Sequence, residues 1–287
     1  MSQIFAAALC PLMAAPAWNC EQVDELLPGW SARLLEPPAA DWALVRTDYG
    51  YLGYAPVRAL SLDRAVCAAF AARPKGTVTR SVCQALAAPS VRSWPVARLV
   101  RGAVVAPLAR PDGEGWVPVA LPDGRIGYTK CNFIGSDCNT LTLSESDFRP
   151  AVARTALSYL GAPYRWGGKS PLGVDCSGLA FLAYRLNGVT ICRDARLEPG
   201  WPVRPIPAGA RQQGDLLYFP GHVAVYLGGD AYVHATARTG SDGVVVNSLD
   251  PASPRYRADL AGSLTAVGSL FGVTEAPDSG SFSPPPG

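Results

Sequence analysis

Two stretches of this chain follow one pattern. Trp42-Ala43-Leu44-Val45-Arg46 alternates with the period of a β-strand, Asp48-Tyr49-Gly50 turns, and Gly53-Tyr54 follows. Further on, Gly115-Trp116-Val117-Pro118-Val119 leads into Pro122-Asp123-Gly124 and then Gly127-Tyr128. A Trp-led strand, a Gly-containing turn and Gly-Tyr recurring after roughly 75 residues mark an internal repeat. Two small all-β barrels are therefore expected, one over residues 1–62 and one, with a linker before it, over 63–140.

From Leu141 the periodicity changes. Ser146 or Asp147 is placed to cap a helix, Pro150 falls in its first turn, and Val152, Ala156, Leu157 and Leu160 share a face. Gly161 and Pro163 stop it. A second helix starts near Cys176, with Leu179, Leu182, Ala183 and Leu186 as its apolar stripe and Gly188 at its end. Strand patterns follow over 215–219, 222–227, 231–235 and 243–249. Residues 141–273 thus read as an α+β unit, helices first and an antiparallel sheet after. Residues 274–287, rich in Pro, Ser and Gly, lack core formers and are expected to be a disordered tail.

Composition removes several function classes. Charged residues are 17% of the chain and the net charge is +2, without a basic tract, so no nucleic-acid partner is expected. No stretch approaches the ~18 unbroken apolar residues of a membrane span, so no membrane partner is expected either. Ile4 to Ala15 is apolar, but no Lys or Arg precedes Arg33 and Pro11 interrupts it. It reads as a buried strand rather than an export signal. The eight cysteines show no repeated spacing, and with no export signal they read as reduced thiols in a cytoplasmic protein. No C-x-x-C occurs and both histidines have another use, so neither metal nor cofactor is expected.

That use is nucleophilic catalysis. The chain has two histidines, His222 and His234, each on a strand of the third unit. Cys176 stands at a helix mouth in Val174-Asp175-Cys176-Ser177-Gly178. The helix dipole and unsatisfied N–H groups there favour a thiolate. A cysteine nucleophile needs a base, and the base needs an orienting group. Asp175 is also a helix-cap type.

These pieces resemble a known family. Tyr164-Arg165-Trp166-Gly167-Gly168, Asp175-Cys176-Ser177-Gly178, Gly214-Asp215-Leu216-Leu217-Tyr218-Phe219 with Gly221-His222-Val223-Ala224-Val225-Tyr226-Leu227-Gly228, and His234-Ala235 are similar in order and content to the NlpC/P60 cell-wall peptidases. The resemblance covers roughly residues 145–270 and implies a papain-like core. It further implies Cys176 as nucleophile, His222 as general base and acid, and His234 as orienter. With the paired barrels, the whole chain resembles two-SH3b NlpC/P60 enzymes, γ-D-glutamyl-L-diamino-acid endopeptidases of short murein peptides with a free N-terminal L-Ala. In that group the positions matching Tyr164, Asp175 and Ser177 recognise the free amine, and the first barrel narrows the cleft. Glu21 and one tyrosine of 48–54, Tyr51 before the others, would then also reach the substrate.

The segment Arg193-Asp194-Ala195-Arg196-Leu197-Glu198 departs from the family's Arg-Asp-Ser followed by Gln. The missing hydroxyl at Ala195 removes one hydrogen bond to the peptide, worth about 1 kcal/mol. Other readings stay open at this stage. One is a general peptidoglycan hydrolase, one a wall-binding module with an inactive peptidase domain, and one an acyltransferase or amidase acting on lipid.

Overall fold

A computed structural model describes residues 2–137 and 142–272. The expected tail at 274–287 and Cys138 lie outside the described residues. The first unit holds strands β1 (Ser2–Ala6), β2 (Cys10–Met13), β3 (Gln22–Leu26), β4 (Ser31–Leu34), β5 (Trp42–Thr47), β6 (Leu52–Pro56) and β7 (Leu60–Ser61). Helix α1 (Arg64–Ala71) leads to β8 (Gly76–Val78), β9 (Val82–Leu86), β10 (Pro95–Val100), β11 (Val104–Pro107), β12 (Trp116–Ala120), β13 (Ile126–Lys130) and β14 (Ile134–Gly135).

The strand orders are β3-β2-β6-β5-β4-β1-β7 and β10-β9-β13-β12-β11-β8-β14. Shifted to a common start they are the same order, so the sequence repeat is a repeat of topology. The Gly-Tyr pairs have a packing reason. A Cβ on Gly53 would sit 2.8 Å from the Leu12 Cβ, and one on Gly127 2.7 Å from the Ala85 Cβ. Only glycine lets β6 lie against β2, and β13 against β9, so closely. The apolar N-terminal stretch forms two strands, β1 and β2, separated by a turn, with Ile4, Phe5, Cys10 and Leu12 buried.

The third unit begins with α2 (Glu145–Leu157). Its cap is Ser144, whose Oγ accepts from Asp147 N–H at 3.3 Å, two residues before the first expected candidate. Pro150 therefore falls in the second turn. Phe148, Val152 and Ala156 are buried, but the helix ends before Leu160, which is exposed. Next come the short pair β15 (Lys169–Ser170) and β16 (Gly173–Val174), and then α3 (Cys176–Arg185). All but the last residue of α3 is buried, so the expected stripe is only part of its apolar surface. The reason lies in the first unit: Phe181 packs on Tyr49 and Trp30, with ring centroids 4.7 and 6.2 Å away.

Strands β17 (Arg204–Ile206), β18 (Leu216–Phe219), β19 (His222–Gly228), β20 (Ala231–Thr236), β21 (Gly243–Ser248) and, after helix α4 (Ala258–Ala261), β22 (Ala266–Ser269) complete the chain. They form one sheet ordered β17-β22-β18-β19-β20-β21. Buried Arg149 ties α2 to this sheet by an ion pair with Asp215 at 2.8 Å. One apolar core runs from Ile4 through Phe181 to Val244, joining all three units. Among the described residues no helix is long and apolar enough to cross a membrane, and the seven described cysteines are unpaired.

Candidate active site

Cys176 is the first residue of α3, and Asp175 is its cap. His222 opens β19 directly after the turn that pairs it with Phe219. The Cys176 thiol accepts hydrogen bonds from the N–H groups of Val223 and Ser177, which sets the sulfur beside the start of β19. His222 Nε2 lies 2.7 Å from His234 Nδ1 on β20. The structure therefore brings Cys176, His222 and His234 together. A fourth residue, absent from the sequence reading, extends the chain: His234 Nε2 is 2.9 Å from Asn247 Oδ1 on β21. The ladder explains it, since Asn247 pairs with Tyr232 and lies two residues from Val245, the partner of His234, on the same face.

The charge state at rest differs from the thiolate expected for a helix mouth. Burial, and then the Asp175 carboxylate, push the thiol up to about 11. Burial and the neighbouring His234 pull His222 down to about 3. Burial also takes His234 down to about 4, against the bond to Asn247. The dipole and the two N–H donors act in the opposite direction on the sulfur but are outweighed by desolvation. These shifts make the resting groups a neutral thiol and neutral imidazoles.

Asp175 does more than cap. Oδ1 accepts from Gly178 N–H at 2.5 Å, Ser177 Oγ at 3.2 Å and Arg193 Nη1 at 3.1 Å. Oδ2 accepts from Gly167 N–H at 2.8 Å and Arg193 Nη2 at 3.0 Å. Its oxygens are thus fully engaged within the protein, whereas Ser177 Oγ, which donates to Asp175 and accepts from Arg193 Nη1 at 2.8 Å, keeps one lone pair. Tyr164 is half-buried beside Cys176 and Asp175; burial, then their charges, hold its phenol well above the usual range.

The same arginine reaches the first β-unit. Arg193 Nε donates to Asp24 Oδ1 at 2.7 Å. Asp24 also pairs with Lys169 Nζ at 3.0 Å and accepts from Tyr49 OH at 2.5 Å. Lys169 further contacts the Tyr49 hydroxyl and lies over the rings of Trp30, Tyr49 and Phe181. Asp24 and Lys169 are fully buried and Arg193 is 4% exposed. Glu25 accepts from Lys169 N–H at 2.9 Å.

The two first-unit residues expected at the substrate also stand on this seam. Exposed Glu21 accepts from Trp166 Nε1 at 2.6 Å, and half-buried Tyr51 donates to Asp194 Oδ1 at 3.1 Å. Tyr49, by contrast, is buried in the charged cluster. None of the long-range pairs left a local sequence signal.

Residues 161–259 match the NlpC/P60 family. "Dipeptidyl-peptidase 6" of Lysinibacillus sphaericus is 42% identical over 273 residues, covering 94% of this chain and all of that protein. The chain belongs to the NlpC/P60 family. "Gamma-D-glutamyl-L-lysine dipeptidyl-peptidase" of Bacillus subtilis is 35% identical over 92 residues, 29% of this chain and 31% of that protein. A crystal structure of an NlpC/P60 family protein from Bacillus cereus ATCC 10987 superposes with a TM-score of 0.74 at 20% identity, over 93% of this chain and 98% of that one, which shows a common fold. The chain is a peptidase of this family.

Proposed function

We propose that this NlpC/P60 protein is a cytoplasmic cysteine endopeptidase that cuts the γ-D-Glu–diamino-acid bond of short murein peptides carrying a free N-terminal L-Ala. The observation that carries the reading is the meeting of Cys176, His222 and His234 at a seam closed on one side by the first β-unit, taken here as an SH3-like barrel. Similarity along the whole chain to a protein named a dipeptidyl-peptidase supports it.

Chemistry follows from the parts. Cys176 Sγ attacks the amide carbonyl while His222 takes the thiol proton. The N–H of Cys176, in the first helical turn where no carbonyl precedes it, donates to the oxyanion. His222 returns the proton to the departing amine. Water, deprotonated by His222, then clears the thioester.

The substrate ammonium is held at the seam. Tyr164 and Ser177 line it near the nucleophile, and Glu21 and Tyr51 approach from the first unit. Asp175 does not take the ammonium itself, because its lone pairs are engaged and Arg193 neutralises its charge; it holds Ser177 and the Gly167 turn in place around the pocket. Glu21 has one oxygen beyond the Trp166 bond and takes the ammonium directly.

The test compares L-Ala-γ-D-Glu-meso-diaminopimelate with its N-acetyl form by mass spectrometry. Losing a charged hydrogen bond of about 1.5–3 kcal/mol, together with the fit, gives a drop of at least ~100-fold in kcat/KM. Glu21→Gln should shrink that preference. Equal hydrolysis of both peptides would refute the amine pocket and indicate a general wall hydrolase.

A further inference from the structure

The four-residue chain at the sheet edge ends on a backbone carbonyl. Asn247 Nδ2 donates to Arg255 O at 3.1 Å, and that carbonyl also accepts from Ser248 N–H at 3.0 Å. The amide of Asn247 can therefore take only one orientation. Turned over, its oxygen would face the Arg255 carbonyl oxygen and its NH2 would face the histidine. With Oδ1 aimed at His234, the atom 2.9 Å away on that ring must carry hydrogen, so His234 is protonated on Nε2. A neutral imidazole has one N–H, which leaves His234 Nδ1 bare. The 2.7 Å contact to His222 then has one polarity: His222 Nε2–H donates to His234 Nδ1. A neutral His222 so protonated has its lone pair on Nδ1.

We propose that Asn247 is the positioning residue of this site, fixing the tautomers of both histidines so that Nδ1 of His222 is the atom that takes the proton of Cys176. Burial holds both rings neutral at working pH, which keeps the assignment unique. The inference rests on reading Cys176 and His222 as the catalytic pair, but not on any particular peptide. Asn247 touches neither sulfur nor substrate in this scheme and acts through two rings. The relay differs from a Cys–His–carboxylate arrangement in carrying no formal charge, so it orients His222 without raising its basicity. During turnover His222 becomes imidazolium by gaining a proton on Nδ1. The Nε2–H bond to His234 persists unchanged, and no proton need leave the pair.

The experiment reads tautomers first, without substrate. The chain has two histidines, so a long-range 15N–1H correlation spectrum of tag-free, 15N-labelled full-length protein at neutral pH contains two imidazoles. His222→Gln assigns them. The expected result is an Nε2–H, bare-Nδ1 pattern for both rings. An Nδ1–H pattern on either ring overturns the proposal, whatever the enzyme cleaves. Asn247→Asp and Asn247→Leu then test the role. The carboxylate should favour an imidazolium in the pair and move the acid limb of kcat/KM up by about one pH unit or more. The apolar variant should lower kcat about tenfold or more with KM within about twofold, because the lock is lost while binding is not. An unmoved acid limb in a folded Asn247→Asp protein, with wild-type kcat in Asn247→Leu, overturns the positioning role. If the spectrum gives the expected tautomers but no murein peptide is cut, the failure lies with the substrate reading instead. Alkylation of Cys176 by iodoacetamide against pH then replaces turnover as the readout, with its rise expected at lower pH in Asn247→Asp, because an imidazolium beside the sulfur favours the thiolate.

Discussion

Replacing Asp24 with Asn keeps the shape of the buried seam and removes its counter-charge. Asp24 is fully buried, with Lys169 at 3.0 Å, Arg193 at 2.7 Å and the Tyr49 hydroxyl at 2.5 Å. Breaking a buried ion pair from one side typically costs about 3–5 kcal/mol, because the orphaned charge stays out of water. The two cations do not share that cost equally. Burial already holds the Lys169 ammonium down at about 8, against the pull of Asp24. At pH 7 it can therefore release its proton for about 1.4 kcal/mol, which caps its contribution. Arg193 has no such exit, since a guanidinium does not deprotonate in proteins. It retains Asp175 but loses its second carboxylate. Asp24→Asn should thus destabilise the full-length chain by about 3–5 kcal/mol in urea melts at pH 7. Adding Lys169→Met should recover no more than about 1.4 kcal/mol of it. A single variant within about 1 kcal/mol of wild type would refute the reasoning, as would full recovery in the double variant.

Further outcomes follow from the same groups. Cys176→Ala and His222→Ala should each abolish turnover with unfolding midpoints near wild type, while His234→Ala should retain some; near-wild-type rates in either of the first two would contradict the assigned roles. Alkylation of Cys176 by iodoacetamide should climb with pH towards about 11, and a flat, fast rate from mildly acidic to neutral pH would show a resting ion pair instead. His222 and His234 are held at about 3 and 4, below the ordinary histidine value, so the unfolded chain binds more protons in acid. Their stability contribution is complete above pH ~6.5 and is lost as pH falls through that window, about 2 kcal/mol at pH 5 for the fully buried His234 alone. Urea midpoints of His234→Gln should accordingly fall less steeply below pH 6.5 than those of wild type. Lys169 is depressed as well, so stability should rise between pH ~8 and ~10.5, and Lys169→Met should flatten that rise.

What was legible in the sequence was whatever had a local period. Strands β18 to β21 were placed within a residue or so at each end, because alternating apolar runs there are bounded by Gly and Asp turns. The repeat was visible in Trp42 and Trp116 and in the Gly-Tyr pairs, whose glycines serve the same close approach twice. Helix α1 was hidden in what reads as a linker. It has only two turns, is capped by Asp63 through Ala65 and Val66 N–H, and buries Cys67 and Phe70. Strands β17 and β22 leave no such signal, because they are short and carry Pro205 and Gly268, poor strand formers. The neutral thiol escaped for another reason: a helix start is visible in sequence, but the desolvation that outweighs it depends on what the fold packs above the sulfur.

The seam shows why a local pattern picks out Cys176 and the two histidines but not what surrounds them. Arg193 and Lys169 both lie inside the segment that matches the NlpC/P60 family, residues 161–259. So does Asp175, whose oxygens Arg193 grips beside Cys176. Asp24, the carboxylate that meets both cations, lies outside that segment, on β3 of the first unit, 169 residues from Arg193 and 145 from Lys169. Within the family segment the buried fixed charges of this cluster therefore sum to one positive excess, and the first β-unit supplies the neutralising charge. Tyr49, on the turn after β5, closes the other side of Lys169 and packs on Phe181 of α3. The first β-unit thus neutralises the buried charge beside α3, so the third unit and its N-terminal neighbour are one electrostatic body even though their sequence patterns are distinct.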